Sequence, residues 1–390
     1  MLLFETDKEM QKNDSSRSLR EKHCAPKAVR RSGREVPVAS SSPLFPELHA
    51  GHDNPWLTRS HELASELIRR DGVLSTVELC AGAGGQALGF EHAGIEHAAL
   101  VELDKNACAT LRLNRPWWNV VEADINQFDG AAFTGADIVS GGLPCPPFSV
   151  AGKQLGHKDE RNLFPVMIRL VDQIRPKAVL IENVRGILNA VFDDYRQYIA
   201  GELRKLGYQT GWKLMNASDF GVPQLRPRVV FIAVRKKFSE HFSWPEGGRL
   251  APKTVGEVLQ DLMHANNWSG ADAWRRQADE IAPTIVGGSL KHGGPDLGPT
   301  RARRAWASLG VDGLGIADEA PPRDFLGMPR LTVRMVARLQ GFPDEWTFAG
   351  RKTQAYRQVG NAFPPPFARA LAESLRTCLT TSSRHHRLAG

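Results

Sequence analysis

The sequence lacks long hydrophobic runs and paired cysteines, and each absence excludes a class of protein. Its apolar runs, such as VVFIAV at 229–234, are far shorter than the roughly 20 residues of a membrane-spanning helix. Its five cysteines form no Cys-x-x-Cys pair and are odd in number, which fits neither a disulfide framework nor a zinc site. The N-terminus also shows no apolar signal segment. We therefore expect a cytoplasmic protein that uses no metal and no membrane.

Basic residues outnumber acidic ones, and this imbalance indicates an anionic partner. The formal net charge is +7 and the sequence pI is about 9.2. Nucleic acid is the first anion to consider, although charge alone proves nothing. The hydrophobic fraction of 42% and the length of 390 residues are those of a globular chain with material for two lobes.

Short apolar runs alternate with helical stretches in the middle of the chain. LSTVEL, AALVEL, DIVSGG, KAVLIEN and RVVFIAV predict buried strands, and the stretches between them have helical spacing. This alternation predicts an α/β fold with a doubly wound parallel sheet, which binds ligands at the carboxyl ends of its strands. The predicted segments are a disordered basic tail, the first part of a catalytic and cofactor domain, a smaller loop-rich domain, a hinge with the returning part of the catalytic domain, and a C-terminal tail: 1–54, 55–240, 241–328, 329–380 and 381–390.

A glycine-rich turn follows the first predicted strand in VELCAGAGGQALGFEHAG. Gly82 and Gly84 allow a ligand to approach the backbone and the next helix to pack closely on the strand. With Ala87 they satisfy a loose dinucleotide fingerprint, and Glu102 follows about 20 residues later, as ribose binding requires. Asp124, at the next strand end, is suited to accept a hydrogen bond from an adenine amino group. The pattern predicts a nucleoside-like cofactor and leaves a nicotinamide enzyme open.

One cysteine, Cys145, stands among three prolines in GGLPCPPFSVAGKQ. Prolines restrict the backbone and donate no hydrogen bonds, so this loop predicts a sulfur held in one pose. The loop follows a strand end, where the fold places its cleft, and a thiolate there is a candidate nucleophile. A small core cysteine is the alternative, and it describes Cys80 and Cys108 better.

Other polar groups accompany predicted strands. Glu182 ends the apolar strand VLIEN, and a carboxyl buried there is expected to have a raised pKa and to donate a proton. Arg226 and Arg228 alternate in QLRPRVVF, so a strand would place both on one face, suited to an anion or an exocyclic oxygen. A surface acid and a solvated strand edge are the alternatives.

Together and in this order, these segments resemble the cytosine-C5 DNA methyltransferases. ELCAGAGG resembles the first motif of that family, GGLPCPPFSVAGKQ its catalytic loop and ENVRG its Glu-Asn-Val motif. QLRPR is similar to its Gln-x-Arg-x-Arg strand, while RLTVRMVARLQGFPDEW and QVGNAFPPPFARALAESL are similar to its ninth and tenth motifs. The resemblance covers about residues 75–378. Cys80 stands where the family usually has an aromatic residue and Leu103 where a tryptophan often covers adenine, which implies weaker cofactor stacking.

The resemblance implies a Rossmann-like, S-adenosylmethionine-dependent methyltransferase sheet and a role for each motif. Cys145 would bond to carbon 6 of a cytosine swung out of the duplex, and Glu182 would contact ring N3. Arg228 would hold the O2 side, with Arg226 beside it supporting the loop and the thiolate. Carbon 5 would receive the methyl group, and S-adenosylhomocysteine would be the product. The residues implied to contact the cofactor are Cys80, Ala81, Gly82, Gly84, Glu102, Leu103, Asp124, Pro144, Leu163 and Asn361.

The resemblance also implies partners. Residues 241–328 would be a target-recognition domain for a specific sequence in double-stranded DNA, and 145–160 a loop that closes over the base. The last helix would fold back beside the first strand. The chain would act as a monomer in a bacterial cytoplasm, at the nucleoid, and protect DNA from a cognate restriction endonuclease. Basic residues suited to phosphates and guanine in the major groove are Arg275, Arg276, Lys291, His292, Arg301, Arg303 and Arg304.

Three other functions stay open on the sequence. An RNA (tRNA) cytosine-C5 methyltransferase would share the fold, and methyl transfer to tRNA in place of DNA distinguishes it. A methyltransferase-like DNA-binding protein without activity would bind DNA and turn nothing over. A nicotinamide oxidoreductase fits the glycine turn but has no use for Cys145.

Overall fold

The computed structural model describes residues 55–70, 72–144, 162–248, 251–288 and 294–388. The predicted N-terminal tail lies outside these residues, as does the loop that contains Cys145. Within the described residues, strands and helices alternate as the sequence predicts.

The strands are β1 (Leu74–Leu79), β2 (Ile95–Glu102), β3 (Val120–Glu122), β4 (Ile138–Gly142), β5 (Ala178–Asn183), β6 (Tyr208–Asn216) and β7 (Pro227–Arg235). They form one seven-stranded sheet in the order β3-β2-β1-β4-β5-β7-β6. All neighbours among β1 to β5 are parallel, whereas β7 runs antiparallel to both β5 and β6. The predicted parallel direction is therefore correct for the first five strands and wrong for RVVFIAV.

The reversal of β7 determines where its first residues lie. The carboxyl ends of parallel strands meet at one edge of a sheet, and the start of an antiparallel strand joins them there. Asn183, the last residue of β5, is paired with Val229 near the start of β7. An arginine that begins β7 therefore lies at the ligand-binding edge, which a parallel β7 would not allow.

The described residues contain α1 (Pro55–Ile68), α2 (Gly85–His92), α3 (Lys105–Asn114), α4 (Phe164–Ile174), α5 (Asp193–Lys205), α6 (Val255–Met263), α7 (Ala271–Gln277), α8 (Thr300–Ser308), α9 (Val333–Leu339), α10 (Lys352–Asn361) and α11 (Pro365–Leu388). Helix starts follow ordinary capping chemistry. The Asp104 side chain begins α3 by accepting hydrogen bonds from the N–H groups of Asn106 and Ala107. None of these helices combines the length and the hydropathy needed to cross a bilayer.

Helices cover both faces of the sheet. β1 and β5 are buried along their whole length, the pattern of strands enclosed on both sides. Successive side chains point to opposite faces, so Val77 and Leu79 pack toward α1, α4 and α5, whereas Leu74 packs toward α2 and α11. This is the doubly wound arrangement that the alternating pattern predicts.

The last helix returns to the start of the sheet. Phe367 and Leu371 of α11 are buried with Phe90 of α2, in agreement with the predicted path of the chain. Gly89 permits this packing, because a Cβ there would lie 2.6 Å from the Cβ of Ala368. α11 continues through Leu388, so most of the segment assigned from sequence to a C-terminal tail is helical.

Residues 241–328, here called the second lobe, contain α6, α7 and α8 joined by loops. Trp268, Trp274 and Trp306 are buried in its core. The same apolar cluster continues into Leu88 of α2 and Leu111 of α3, so the second lobe packs directly against the helices that follow β1 and β2. The domain limits stay a prediction, because the packing is continuous across them.

Candidate active site

The predicted site residues gather at one edge of the sheet, here called the strand-end site. Cys80 follows β1 directly, Glu102 ends β2, and Glu182 is the next-to-last residue of β5. Asp124 and Pro144 lie two residues beyond β3 and β4. Since parallel strands end at the same edge, the topology alone brings these five residues together.

The turn between β1 and α2 has the left-handed backbone that its glycines predict. φ is 55° at Gly82 and 85° at Gly84, and Cys80 adopts 55° despite its side chain. A Cβ on Gly84 would lie 2.7 Å from Cδ2 of Leu111. Position 84 therefore requires glycine for two reasons, its positive φ and the lack of room for a Cβ atom.

Glu102 ties the glycine turn to the end of β2. Its Oε2 accepts a hydrogen bond from the N–H of Gly82 at 2.7 Å. Its Oε1 accepts from the N–H groups of Leu103 and Asp104 at 2.8 Å each. A carboxylate has about four acceptor positions, so one stays available to a ligand hydroxyl. Ribose binding by Glu102 stays a prediction.

Carboxyl groups surround Cys80. Burial raises the pKa of its thiol, and the nearby negative charges of Glu102, Asp124 and Glu78 raise it further. A thiol kept neutral in this way suits the wall of a pocket rather than a nucleophile. The clustered carboxylates also suit a ligand that carries positive charge, as the sulfonium of S-adenosylmethionine does.

The sequence does not predict Glu78 and Gln86 as site residues, yet both are buried beside the glycine turn. Burial raises the pKa of Glu78 to about 8, against the smaller opposite effect of the nearby Gln86 side chain. Among the described residues, no hydrogen bond of good geometry reaches Glu78 Oε2 or either polar atom of the Gln86 amide. Unpaired polar atoms here fit a site that takes a polar cofactor. The sequence does carry one signal for Glu78, because an acidic residue inside the apolar strand LSTVEL is unusual.

The other predicted cofactor residues differ in placement. Ala81 is buried in the glycine turn, and Leu103 is 65% exposed at the end of β2. Leu163 is half-buried at the start of α4. Asn361 ends α10, is exposed, and donates through Nδ2 to the carbonyl of Gly288 in the second lobe at 3.4 Å. Their contacts with a cofactor stay predictions.

Glu182 and Arg228 form a buried ion pair. Arg228 Nε lies 2.7 Å from Glu182 Oε1, and Glu182 is 7% exposed. Arg228 Nη1 also donates to the carbonyl of Pro227 at 2.9 Å. A Cβ on Gly142 would lie 3.5 Å from Glu182 Oε2, so the absence of a side chain there leaves space beside the second carboxyl oxygen.

The predicted nucleophile, Cys145, and the predicted closing loop lie outside the described residues. Pro144 is the last described residue before them and follows β4. In the register between β4 and β5, Gly142 is paired with Glu182. The segment that leads to Cys145 therefore starts beside Glu182, and the role of Cys145 stays a prediction.

Arg226 and Arg228 have different partners. The Arg226 side chain is 1% exposed and donates to the backbone carbonyls of Ile285, Gly360 and Ala362 at 2.6, 2.8 and 3.0 Å. Ile285 belongs to the second lobe, Gly360 to the last turn of α10, and Ala362 follows that helix. The structure thus does not bring the two guanidinium groups onto one partner, and the predicted support of the loop by Arg226 stays a prediction.

The predicted DNA-binding residues of the second lobe are placed only in part. Arg275, Arg276, Arg301 and Arg304 are exposed and Arg303 is half-buried. Lys291 and His292 lie outside the described residues. Contact of this lobe with phosphates or bases stays a prediction.

The described cysteines, Cys80, Cys108 and Cys378, are free thiols. Cys108 is buried, and burial raises its pKa to about 12. Its Sγ donates to the carbonyl of Glu102 at 3.4 Å, which fits the core role that the sequence suggests. In the part of the chain that the structure describes, no group of three His, Cys, Asp or Glu residues is arranged to hold a metal ion.

Comparisons with known proteins agree on one family. The family described as C-5 cytosine-specific DNA methylase matches residues 74–377. The chain is 54% identical over 312 residues to the type II methyltransferase M.NaeI of Lentzea aerocolonigenes, across 78% of this chain and 75% of that protein. It is 53% identical over 306 residues to the type II methyltransferase M.NgoMIV of Neisseria gonorrhoeae, across 77% of this chain and 96% of that protein.

Solved structures share the fold. A prophage-encoded Escherichia coli protein described as a DNA modification methyltransferase has a TM-score of 0.57 and 25% identity, and the match covers 79% of this chain and 99% of that one. A mutant of Spodoptera frugiperda DNMT2 has a TM-score of 0.54 and 19% identity, across 78% of this chain and 99% of that one. The second likeness shows the fold alone.

The sheet, its strand-end site and these matches define a Rossmann-like methyltransferase. The chain belongs to the C-5 cytosine-specific DNA methylase family. The resemblance carried by its six motifs is thereby confirmed, as is the predicted enzyme class, DNA (cytosine-5)-methyltransferase. The nicotinamide alternative that the glycine turn left open is excluded.

Proposed function

We propose that this enzyme transfers the methyl group of S-adenosylmethionine to carbon 5 of a cytosine swung out of a specific double-stranded DNA sequence. The proposal includes a transient covalent bond between Cys145 and carbon 6 of the base. The observation that carries it is the ion pair of Glu182 and Arg228 at the strand ends, beside the segment that leads to Cys145. Family membership supports carbon 5 as the acceptor.

The cofactor and the base are proposed to bind on two neighbouring parts of the strand-end site. Strand order reverses between β1 and β4, and ligands of open α/β sheets bind at such a switch point. Glu102 and Asp124 lie on the β1–β3 side, suited to ribose hydroxyls and an adenine amino group. Glu182 and Arg228 lie on the β5–β7 side and would receive the base. The reacting atoms would thus meet above the ends of β1 and β4.

Carbon 5 of cytosine is a weak nucleophile until carbon 6 carries an added group. The Cys145 thiolate gives its electron pair to carbon 6, while Glu182 hydrogen-bonds or protonates N3 so that negative charge does not build up on the ring. Arg228 holds Glu182 through Oε1 and faces the O2 side of the base. When bound, S-adenosylmethionine supplies the electrophilic methyl group that carbon 5 then attacks.

Release of the product breaks the bond to sulfur. Solvent takes the proton from carbon 5, the C–H electron pair forms the double bond to carbon 6, and Cys145 Sγ leaves carbon 6 with the electron pair of the C–S bond. The ring recovers its double bond between carbons 5 and 6, and the thiolate is restored for the next turnover.

The biological setting is proposed from the relatives. Two of them are named type II methyltransferases, so this enzyme would protect DNA at a defined site from a cognate restriction endonuclease. The second lobe would read that site, and its exposed arginines suit phosphates and guanine edges. We expect a monomer in the bacterial cytoplasm, associated with the nucleoid through DNA.

Bisulfite sequencing of DNA from cells that express the chain tests the proposal, because it reports the base, the site and the position. The Cys145→Ser variant should bind a duplex containing that site yet leave it unmethylated, and 5-fluorocytosine placed in the site should trap the parent enzyme covalently. The matched control is Cys378→Ser, which changes a buried thiol of α11 outside the strand-end site and should keep activity.

Three results would contradict different parts of the proposal. Normal turnover by Cys145→Ala would remove the covalent step. A methyl group found on the exocyclic nitrogen would remove carbon 5 as the acceptor. Methylation of tRNA in place of DNA would assign the enzyme to RNA.

A further inference from the structure

Three buried polar side chains meet where the second lobe contacts the rest of the chain. Gln224 and Gln340 are 0% exposed and Arg226 is 1% exposed. They are here called the lobe joint. Gln224 and Arg226 come just before β7, while Gln340 follows α9. Polar groups at this depth are costly unless their hydrogen-bonding capacity is used.

Gln340 donates hydrogen bonds to the end of α10 and to the residue that follows it. Its Nε2 donates to the carbonyls of Val359 and Ala362 at 2.8 and 3.2 Å, one on either side of Asn361. Its Oε1 accepts from Nε2 of Gln224 at 2.5 Å. Reversing the amide would turn its oxygen toward two carbonyls, so the network defines its orientation.

The hydrogen bonds of Gln224 and Arg226 join the second lobe to the end of α10. Gln224 Oε1 accepts from the N–H of Ile285 at 2.8 Å, and Arg226 Nη1 donates to the carbonyl of the same residue at 2.6 Å. Arg226 Nη2 reaches the carbonyls of Gly360 and Ala362 at 2.8 and 3.0 Å. An unbroken chain of hydrogen bonds therefore runs from Ile285 through Gln224 and Gln340 to Ala362.

The backbones on either side of the lobe joint are in direct contact. A Cβ on Gly360 would lie 2.5 Å from Cα of Gly287, so the two segments cross without space for a side chain. The Tyr356 hydroxyl of α10 adds a hydrogen bond to the carbonyl of Asp296 at 2.7 Å. Tight packing of this kind transmits displacement instead of absorbing it.

The same segment touches the glycine turn. A Cβ on Gly85 would lie 2.3 Å from the carbonyl oxygen of Phe363 and 3.3 Å from Cβ of Ala362. Ala362 thus contacts the start of α2 and accepts hydrogen bonds from the lobe joint. A shift of the second lobe at Ile285 would reach the cofactor side of the strand-end site through these contacts.

We propose that Gln340 is a positioning residue that couples DNA contact by the second lobe to the affinity of the cofactor site. The proposal rests on the proposed function, since it takes DNA as the ligand of the second lobe. If bound DNA holds Ile285 in one position, the hydrogen bonds of the lobe joint also hold Ala362 in one position. Ala362 contacts the glycine turn, so the turn is held as well. Coupling of this kind is reciprocal, so bound cofactor also tightens DNA.

The test measures the Kd of S-adenosylhomocysteine by calorimetry, with and without a duplex that contains the site mapped by bisulfite sequencing. We expect the parent enzyme to bind S-adenosylhomocysteine about fivefold or more tightly when the duplex is present. The Gln340→Met variant keeps the side-chain length but loses every hydrogen bond, so the duplex should change its Kd by less than about twofold.

Two further variants separate coupling from stability. Leu309→Ala removes volume from the buried core of the second lobe without touching the lobe joint, so it should lower Tm and keep the coupling. In Gln340→Glu, an ionised carboxylate would repel the carbonyl oxygens of Val359 and Ala362, which accept hydrogen bonds from Gln340. The protonated carboxyl could donate a hydrogen bond to one of them. The coupling of this variant should return in part as the pH is lowered, at a pH set by two opposed effects: burial raises the pKa of a carboxyl there, whereas the guanidinium of Arg226, which donates to the same carbonyl of Ala362, lowers it.

Equal coupling in the parent and in Gln340→Met would overturn the proposal, as would a parent enzyme without coupling. If Gln340→Met does not fold, the pH response of Gln340→Glu decides the question. The Kd of S-adenosylhomocysteine can be measured without methyl transfer, so the test also works with an inactive enzyme. A parent enzyme that couples its ligands but never methylates cytosine would contradict the proposed function and leave the coupling in place.

Discussion

The lobe joint and the strand-end site are both buried and polar, but they differ in how many polar atoms have partners. In the lobe joint, all four amide hydrogens of the two glutamines have acceptors. Gln224 donates to Gln340 Oε1 and to the carbonyl of Leu339, while Gln340 donates to Val359 and Ala362.

The strand-end site has open positions instead. Within the described residues, no hydrogen bond of good geometry reaches Glu78 Oε2, the polar atoms of the Gln86 amide or Asn183 Nδ2, although the Gln86 side chain is close enough to Glu78 to lower its pKa. Lone indole N–H groups, such as that of Trp306, are also unpaired in the core of the second lobe. At the strand ends, however, Glu78 and Gln86 flank the glycine turn, and Asn183 ends β5 at the same edge of the sheet. The fully used amides of Gln224 and Gln340 fix the geometry of the lobe joint, whereas the open positions at the strand ends have capacity for a ligand.

The sharpest test of this difference exchanges each arginine for lysine. Arg226→Lys replaces a fork that reaches three carbonyls with a single ammonium, so the free energy of unfolding should fall by about 2 to 4 kcal/mol. Arg228→Lys keeps a charge beside Glu182, so stability should change little while kcat falls about 10²- to 10³-fold through lost placement of the base. Denaturant unfolding and single-turnover methylation measure the two effects.

The opposite result would reverse the assignment. If Arg226→Lys unfolds like the parent but loses kcat, Arg226 contacts the reacting groups rather than the lobes. If Arg228→Lys is unstable and fully active when folded, its pair with Glu182 is structural.

A second test extends the lobe joint to the glycine turn. A Cβ added by Gly85→Ala would lie 2.3 Å from the carbonyl oxygen of Phe363, so backbone must move and the free energy of unfolding should fall by about 1 to 3 kcal/mol. The matched control is Gly201→Ala in α5, where no atom lies within 4 Å of the added Cβ, and it should stabilise by about 0.5 to 1 kcal/mol. Thermal unfolding and the Kd of S-adenosylhomocysteine measure the outcome. If both variants had the same Tm and the same Kd, the segment after α10 would be able to move away from the glycine turn without cost.

Sequence patterns predict the strand-end site well because the fold itself assembles it. Buried apolar runs identify β1, β2, β4 and β5, and parallel strands deliver Glu102 and Glu182 to one edge. The direction of β7 is beyond the same reasoning, because an apolar run looks alike in either direction. β6 also escapes it, since YQTGWKLMN is a partly exposed edge strand with no clear alternation.

The lobe joint illustrates what periodicity leaves out. Gln224 and Gln340 meet across 116 residues of chain, and neither stands in an apolar pattern. Arg226 looks equivalent to Arg228 in QLRPR, yet the chain enters β7 between them and their side chains reach different partners. Long-range hydrogen bonds carry no local signal, so only the folded chain shows which buried amides are fully paired and which polar groups are left open.

A last test varies the pH and concerns the buried carboxyl of Glu78. Because burial raises the pKa of this carboxyl to about 8, the folded chain holds its proton more tightly than the unfolded chain, where the pKa is near 4.5. The resulting stability is fully present below pH 4.5 and is lost as the pH rises toward 8, with a slope of at most about 1.4 kcal/mol per pH unit for one proton. Glu78→Gln cannot ionise, so relative to the parent it should become more stable across this window. Urea unfolding of both proteins at pH 5 and pH 8 measures the difference, and parallel pH profiles would mean that the carboxyl is paired after all.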